Sequence, residues 1–321
     1  MPSVIAHMLC GGKSLAILKG SEPGAYSVIK RHTRLFRFGT QGPDILFYCV
    51  LPPYGPELMK IGKDLHTNGP SEFLRNAFEL TLSMPAGSPG QEAAFAYLAG
   101  FLSHCALDRA AHPYVYYRTG FDENGRLTKP YNEYHRRFEA DIDTILCKRF
   151  SGKTPYEYDV PNKLFLTKTE RQFATDMFTR ILNGSRRCGQ AGYMMRLFYA
   201  AARDKIGLKK TMAEAVEQKI TGGAAFTALM HKNSVAAYEA DIILNESHKT
   251  WRNPWNGHSR TESFVELFGQ AAQNGADYMR ALYDYIYGGD NIEHTLSMMS
   301  GGPLDGGPYG GQFKYHCCIY Q

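Results

Sequence analysis

The segment YLAGFLSHCALDRAAHPYVYY, residues 97–117, combines an apolar helical pattern with three polar side chains in one line. His104, Asp108 and His112 follow one another at intervals of four residues. Because a helix turns once in about 3.6 residues, these side chains are expected to share one stripe along the helix. Burying a carboxylate costs free energy unless a partner compensates its charge. The segment therefore predicts a buried helix whose polar stripe has a specific partner.

A second imidazole–carboxylate pair follows in HRRFEADID, residues 135–143, where His135 and Glu139 are also four residues apart. Side chains at this spacing can hold one cation together, and neutral imidazole with carboxylate is a ligand set for Zn²⁺. A single pair of this kind is more often a hydrogen bond or a surface ion pair. Two pairs with a further histidine nearby favour a metal site. Asp141 and Asp143 are candidate outer partners, although Asp143 fits a solvated acid equally well.

His112 directly precedes Pro113. The residue before a proline is disfavoured in helical geometry, because the proline ring clashes with its backbone. The sequence therefore predicts that His112 lies at the end of the first helix or just beyond it, within reach of a neighbouring metal.

The composition is that of an ordinary folded protein. Of the 321 residues, 44% are hydrophobic and 21% are charged, which argues against extensive disorder. The net charge of +5 favours anionic substrates but is too small for a dedicated nucleic-acid-binding protein, so no nucleic-acid partner is expected. No segment has the roughly 20 apolar residues of a membrane span. The N-terminus lacks a secretory signal pattern and the seven cysteines form no CxxC pair, so we expect a cytoplasmic protein.

Helical periodicity dominates the chain, with apolar residues recurring at every third or fourth position. Helices are predicted over residues 4–18, 71–83, 92–111, 131–149, 167–183, 190–206, 211–220, 234–246 and 261–287. Thr167 with Glu170, and Ser259 with Glu262, have the spacing of helix capping boxes, and Gly184 follows the first of these two helices. No pair of alternating segments is joined by a tight turn, so few strands are expected. The predicted fold class is all-α.

The candidate ligands are concentrated in the first half of the chain. Residues 1–150 are expected to form the metal-binding part of the fold, and residues 160–290 are expected to add further helices packed on it. The segment SGKTPYEYDVP, residues 151–161, is the predicted boundary because it mixes Pro, Gly and polar residues between two strong helices. Residues 300–321 begin with a Gly- and Pro-rich stretch and are predicted to form an irregular tail.

Five segments within about the first 145 residues resemble, in order, the zinc-dependent phospholipases C, and are most similar to a leaderless bacterial branch of that family. These segments are PSVIAHMLCG at the start, GPDILFYC at 42–49, IGKDLHTNGPSEFL at 61–74, YLAGFLSHCALDRAAHPYVY at 97–116 and HRRFEADID at 135–143. Each is weakly specific, but their order makes the set fairly specific. The resemblance implies a helical fold related to the phospholipase C/P1 nuclease fold, built around two or three zinc ions.

Carried over position by position, the resemblance implies eight metal ligands. They are His7, Asp44, His66, His104, Asp108, His112, His135 and Glu139. Asp108 is implied to bridge two metal ions. Asp44 lies in the predicted loop 39–44, where it is also the candidate to orient the attacking water or to act as base. Without the resemblance, Asp44 would be interpreted as a turn residue, His66 as a loop or capping histidine and His7 as an ordinary helix histidine.

The chain departs from the secreted members of that family at three places. Those proteins begin with a tryptophan that binds one zinc together with the N-terminal histidine, whereas the two tryptophans here are Trp251 and Trp255. Met1, or Pro2 after removal of Met1, would have to replace it. The interval between Asp108 and His112 is shorter than in the secreted enzymes. Toxin-like members also add a β-sandwich, whereas the second half of this chain has helical periodicity.

The resemblance implies a phosphodiester hydrolase of the phospholipase C type, in which a zinc-bound hydroxide attacks a phospholipid or a smaller phosphodiester. Two alternatives stay open. One is a zinc-dependent nuclease, because single-strand nucleases have a related trinuclear zinc fold. The other is a helical metal-binding protein without catalytic activity.

Overall fold

The computed structural model describes residues 4–49, 55–182, 188–299 and 302–320, and most of these residues are helical. The helices are α1 Val4–Ser21, α2 Pro23–Arg31, α3 Thr33–Gly39, α4 Gly55–Thr67, α5 Ser71–Leu82, α6 Pro89–Thr119, α7 Lys129–Ser151, α8 Pro155–Tyr158, α9 Val160–Lys163, α10 Lys168–Ile181, α11 Cys188–Ala201, α12 Leu208–Thr221, α13 Ala237–Leu244, α14 Phe264–Tyr287 and α15 Ile292–Met299. Two 3₁₀ helices span Gly42–Tyr48 and Thr227–Leu229. Strands β1 Trp251–Arg252 and β2 Ser259–Arg260 pair antiparallel. The predicted all-α class is confirmed.

Helix α6 carries the segment with which the sequence analysis began. Ser88 caps its N-terminus by accepting a hydrogen bond from the Gln91 amide, and its C-cap is Gly120, with φ of 77°. The prediction that His112 ends this helix is wrong, because α6 continues through Pro113 to Thr119. Proline removes one N–H from the helix, but Tyr114 and Val115 beyond it are almost completely buried. Their tertiary packing outweighs the local preference.

Helices α3 and α6 cross at very short range. A Cβ on Gly39 would lie 2.1 Å from the Tyr97 carbonyl oxygen, and a Cβ on Gly100 would lie 2.1 Å from the Phe36 carbonyl oxygen. Only glycine permits this approach, because any side chain at either position would collide with the opposite backbone. The crossing places the 3₁₀ helix that follows α3 against α6, and this 3₁₀ helix contains Asp44.

The capping predictions have different outcomes. Thr167 and Glu170 form the predicted capping box at the start of α10. The prediction for Ser259 and Glu262 is wrong, because Ser259 pairs in β2 and the helix begins later, at Phe264. A second Ser-x-x-Glu motif, Ser263 with Glu266, caps it instead. Gly184 lies outside the described residues.

The hydrophobic core connects both halves of the chain. One buried cluster runs from Val4 on α1 to Leu304 near the C-terminus. A second cluster lies between α1, α6, α7 and α14, and includes Leu107, Phe138 and Phe264. This second cluster fixes the three helices that carry His7, His104 and His135 relative to one another. The division of the chain at residues 151–161 stays a prediction.

None of the helices in the described residues is both long enough and apolar enough to span a bilayer.

Candidate metal centre

Five elements bring the eight predicted ligand side chains together. His7 lies on α1, Asp44 on the first 3₁₀ helix, His66 on α4, His104, Asp108 and His112 on α6, and His135 and Glu139 on α7. Seven of these residues are buried and His66 is half-buried. The prediction that Asp44 lies in a loop is wrong, because Gly42–Tyr48 forms a 3₁₀ helix. Asp44 is in its first turn, so its position is defined by regular structure.

Asp108 lies at the middle of the cluster. Its Oδ1 is 3.2 Å from His7 Nε2, and its Oδ2 is 2.9 Å from His104 Nε2 and 3.5 Å from His66 Nε2. On the next turn of α6, His112 Nδ1 is 3.9 Å from Oδ1. The two oxygens of one carboxylate therefore face different histidines, which is the arrangement needed to bridge two cations.

Three groups of donor atoms result, and the first two share His104. The groups are His7, Asp44 and His104; His66, His104 and Asp108; and His112, His135 and Glu139, with the atoms of each group within 4.8 Å of one another. In the third group, Glu139 Oε1 is 3.1 Å from His135 Nε2 and 3.6 Å from His112 Nε2. The rings of His7 and His104 stack with their centroids 4.0 Å apart.

The spacing of the donor atoms suits ligands of a common zinc ion better than direct hydrogen bonds between the side chains. Buried atoms of His104, Asp108 and Asp44 have no hydrogen-bond partner in the described structure, although the nearest donor and acceptor atoms are 2.9–3.5 Å apart. Two ligands about 2.1 Å from a tetrahedral zinc ion lie about 3.4 Å apart, which is close to these separations. Atoms that approach without aligning for a hydrogen bond are typical of side chains that converge on a common cation. The imidazole and carboxylate chemistry of the set is also that of zinc.

Two of the histidines are oriented by backbone carbonyls. His66 Nδ1 lies 2.7 Å from the Gly62 oxygen, and His112 Nδ1 lies 3.1 Å from the Leu304 oxygen. Because a carbonyl oxygen can only accept, each Nδ1 must donate, and in the neutral ring the lone pair is then on Nε2. That atom faces Asp44 in the first case and Glu139 in the second. Such outer contacts fix the tautomer of metal-binding histidines.

Burial and mutual charges set the protonation of the cluster. Burial raises the pKa of Asp108 and of Glu139, but the neighbouring histidines outweigh it and hold both values well below the usual range. Burial lowers the pKa of His135 to about 4, so this ring is neutral at physiological pH. His66 differs: burial would lower its pKa, but the neighbouring carboxylates of Asp108 and Asp44 outweigh burial and raise it to about 10. Without a cation, the carboxylates are thus ionised and held by imidazoles.

Asp143 on α7 anchors the start of α1. It is completely buried, and its carboxylate accepts hydrogen bonds from the amides of Ile5 at 2.9 Å and Ala6 at 2.7 Å, directly before His7. His231 Nε2 lies 2.8 Å from the same carboxylate. The interpretation of Asp143 as a solvated acid is therefore wrong. Its position eight residues after His135 indicated the correct helix face, but no sequence signal connected it with α1 or with His231.

Replacing Asp143 by Asn is expected to lower the free energy of unfolding by about 1–3 kcal/mol, because the amide NH₂ cannot accept and leaves a buried donor unpaired. Urea denaturation of wild type and variant measures this difference. Asp141→Asn is the matched control, since Asp141 lies on the same helix and pairs with the partly exposed Lys232. Equal losses in the two variants would contradict the anchoring role.

Gly42 leaves room for His104. Its φ is +50°, and a Cβ at this position would lie 2.3 Å from His104 Cδ2. Gly42→Ala is expected to displace the imidazole, lower the zinc content and reduce the free energy of unfolding by about 2 kcal/mol or more. Metal analysis and urea denaturation measure the two effects. Gly12→Ala on the exposed face of α1, where nothing lies within 4 Å, is expected to keep its zinc and to be slightly more stable. Normal zinc content in Gly42→Ala would refute the steric argument.

The C-terminal segment lies against the cluster. The Leu304 amide donates to the His66 carbonyl at 2.9 Å, while its own carbonyl accepts from His112. Arg109 donates to the carbonyls of Met299 and Gly302. Residues 302–320 contain no helix or strand, and these contacts hold the first part of the segment in place. No sequence pattern indicates these backbone contacts. The expected substitutes for the N-terminal tryptophan, Met1 and Pro2, lie outside the described residues.

The comparisons with known proteins agree with this geometry. A sequence model of the family described as zinc dependent phospholipase C matches residues 6–187, which is more than half of the chain and contains all the candidate ligands. Searches of curated proteins and of solved structures give no significant match. On the evidence of the matched sequence, the chain belongs to the zinc-dependent phospholipase C family.

Proposed function

We propose that this protein is a zinc-dependent phosphodiester hydrolase of the phospholipase C type, acting on a phospholipid or a smaller phosphodiester. The observation that supports it best is the position of Asp108, whose two carboxylate oxygens face separate histidine donors within a buried cluster of three donor groups. Adjacent metal ions that share a carboxylate are suited to hold both the attacking and the leaving oxygen of a phosphoryl group.

The charge of the cluster favours a phosphate anion. Its side chains contribute three carboxylates, whereas neutral imidazoles contribute no charge. Two or three divalent ions would therefore leave a net positive charge at the site. Bound zinc would supply Lewis acidity, lowering the pKa of a water ligand to about 7 and neutralising charge on phosphate oxygens.

The protein side chains would orient the reacting groups and exclude water from the site. Histidines beside Asp44 lower its pKa against the opposing effect of burial, so the carboxylate is ionised and suited to accept a proton or orient water. Ligand residues on α6 and α7 also line a small cavity with apolar side chains from α6, α7 and α14. These are Leu107, Ala111, Val115, Ile142 and Phe264. An apolar wall excludes bulk water and strengthens electrostatic interactions at the metal ions.

The test combines metal analysis with two substrates. Purified protein is expected to contain two or three zinc ions per chain and to hydrolyse a chromogenic phosphocholine ester much faster than single-stranded DNA. His104→Ala and Glu139→Ala are expected to lose this activity, whereas His258→Ala, at an exposed histidine, should retain it. Less than one zinc per chain would refute the proposal. Preferential cleavage of DNA would identify a nuclease instead, and zinc without hydrolysis of either substrate would indicate a metal-binding protein.

A further inference from the structure

Helix α12 has the reverse of the usual orientation of a surface helix. A surface helix normally turns its apolar stripe toward the core and its charged residues toward solvent. Here four apolar residues at intervals of four face outward. They are Leu208, Met212, Val216 and Ile220, whose side chains are 59%, 69%, 56% and 77% exposed. We call these four residues the α12 stripe.

The inward face of α12 is polar and is held by specific contacts. Lys210 is buried and donates to the carbonyls of Thr227 and Met230. Glu214 pairs with Arg137 on α7. The helix is therefore attached through charged groups, and its outward apolar face makes no contribution to the core.

A third inward contact is made by Glu217, so the acidic side chains of α12 face the protein. The Glu217 carboxylate accepts hydrogen bonds from the amides of Phe226 at 2.8 Å and Thr227 at 2.9 Å, and from the Thr227 hydroxyl at 2.7 Å. Glu214 and Glu217 are the acidic residues of α12, and both are turned toward the protein. The outward face consequently carries no carboxylate from this helix.

Positive charge borders the stripe. Lys219 is exposed within the last turn of α12, and Lys205 is exposed just before the helix begins. Two further apolar side chains extend the surface, since Ile206 is 70% exposed and Phe226 is 55% exposed. Contiguous apolar surface bordered by polar groups marks an interaction site. Apolar residues combined with lysines, without acids, are complementary to an anionic bilayer surface.

Helix α12 is attached to the helix that carries His135 and Glu139. Lys129 on the first turn of α7 donates to the Thr221 carbonyl at the end of α12, and Arg136 donates to the Ala225 carbonyl just after it. The surface is thus attached to the same half of α7 as the metal centre.

From these contacts we propose that the α12 stripe docks the protein on anionic lipid surfaces. The four apolar side chains enter the interfacial layer, and Lys205 and Lys219 contact the headgroups. The inference stands independently of catalysis, because it rests on the orientation of α12 and on the two exposed lysines beside it.

Co-sedimentation with vesicles tests the proposal. Full-length protein is expected to bind vesicles of phosphatidylcholine with one quarter phosphatidylglycerol, and to bind pure phosphatidylcholine more weakly. Replacing all four residues of the stripe by serine should reduce binding at least about tenfold, because their transfer from water is lost. Lys205→Glu with Lys219→Glu should reduce binding to the anionic vesicles about tenfold and leave binding to pure phosphatidylcholine unchanged.

Matched controls use exposed residues on other helices. Met59→Ser with Leu82→Ser removes apolar side chains that are 40% and 44% exposed, and Lys60→Glu with Lys63→Glu reverses two exposed charges on α4. Both are expected to bind like wild type.

The stripe variant should hydrolyse a soluble phosphocholine ester at the wild-type rate, so a loss of lipid docking is separated from a loss of the proposed activity. Unchanged vesicle binding in the stripe variant would overturn the proposal. A wild-type dimer that the serine variant converts to monomer, without a change in vesicle binding, would assign the stripe to a second copy of the chain.

Discussion

Asp108→Asn is expected to lower hydrolysis of a phosphodiester about thousandfold and to remove most of the bound zinc. The substitution keeps the shape of the side chain but removes its charge and replaces one oxygen by an NH₂ group that cannot bind a cation. Because Asp108 faces His7 and His104 through different oxygens, one change disturbs its contacts with both histidines. A thousandfold loss corresponds to about 4 kcal/mol of transition-state stabilisation. Metal analysis and kcat/KM with a chromogenic phosphocholine ester measure both effects.

Asp141→Asn serves as the control for this experiment, because Asp141 is also buried but pairs with Lys232 outside the cluster. It is expected to keep its zinc and most of its activity. If Asp108→Asn retained the full zinc content, the bridging role of Asp108 would be wrong. Retained zinc with lost activity would place Asp108 in the reaction but not in metal binding.

Removal of zinc by a chelator is expected to abolish activity and to lower the melting temperature by about 8 °C. The cluster buries three carboxylates and five imidazoles around a common centre, so the cation contributes to the stability of the folded state. A ligand at about a thousand times its Kd stabilises a protein by about 4 kcal/mol, and about 2 °C per kcal/mol is expected for a chain of this size. Calorimetry before and after dialysis measures the change.

Added zinc should restore both the melting temperature and the activity. The Asp108→Asn variant should show little change on chelation, since it is expected to hold little metal before treatment. A melting temperature of the wild type that is insensitive to chelation would show that the cluster is held by its own ion pairs. The network of histidine contacts around Asp44, Asp108 and Glu139 would then have a structural role only.

The sequence predicted the helical class because most of its helices carry a strong apolar period. Segments such as 71–83 and 131–149 differ from the observed helices by at most two residues at either end. Short helices without such a period, including α3 and α9, were not predicted. The end of α6 was predicted wrongly because local proline chemistry was given more weight than the burial of Tyr114 and Val115, which depends on packing partners far away in the chain.

The pairs His104 with Asp108, and His135 with Glu139, followed from the sequence by itself, because the four-residue spacing fixes the geometry within one helix. The resemblance to the family then selected the remaining candidates. The apolar period of a helix does not show which other helix its polar face will contact. The convergence of candidate ligands from five elements was therefore decided by the tertiary structure.

The contacts that hold these side chains in place were decided only by the folded chain. The carbonyl that orients His112 belongs to Leu304, which is 192 residues away. The amides of Ile5 and Ala6 are held by Asp143, which is 138 and 137 residues away from them. The outward orientation of α12 likewise depends on Thr227 and Arg137 as partners of its charged residues. A sequence determines local geometry through backbone spacing, but partners across the chain are selected by the packing of the whole core. For this protein, two of the candidate ligand pairs could therefore be predicted from the sequence by itself, whereas the assembly of the candidate site and the exposed apolar surface of α12 were decided by the tertiary structure.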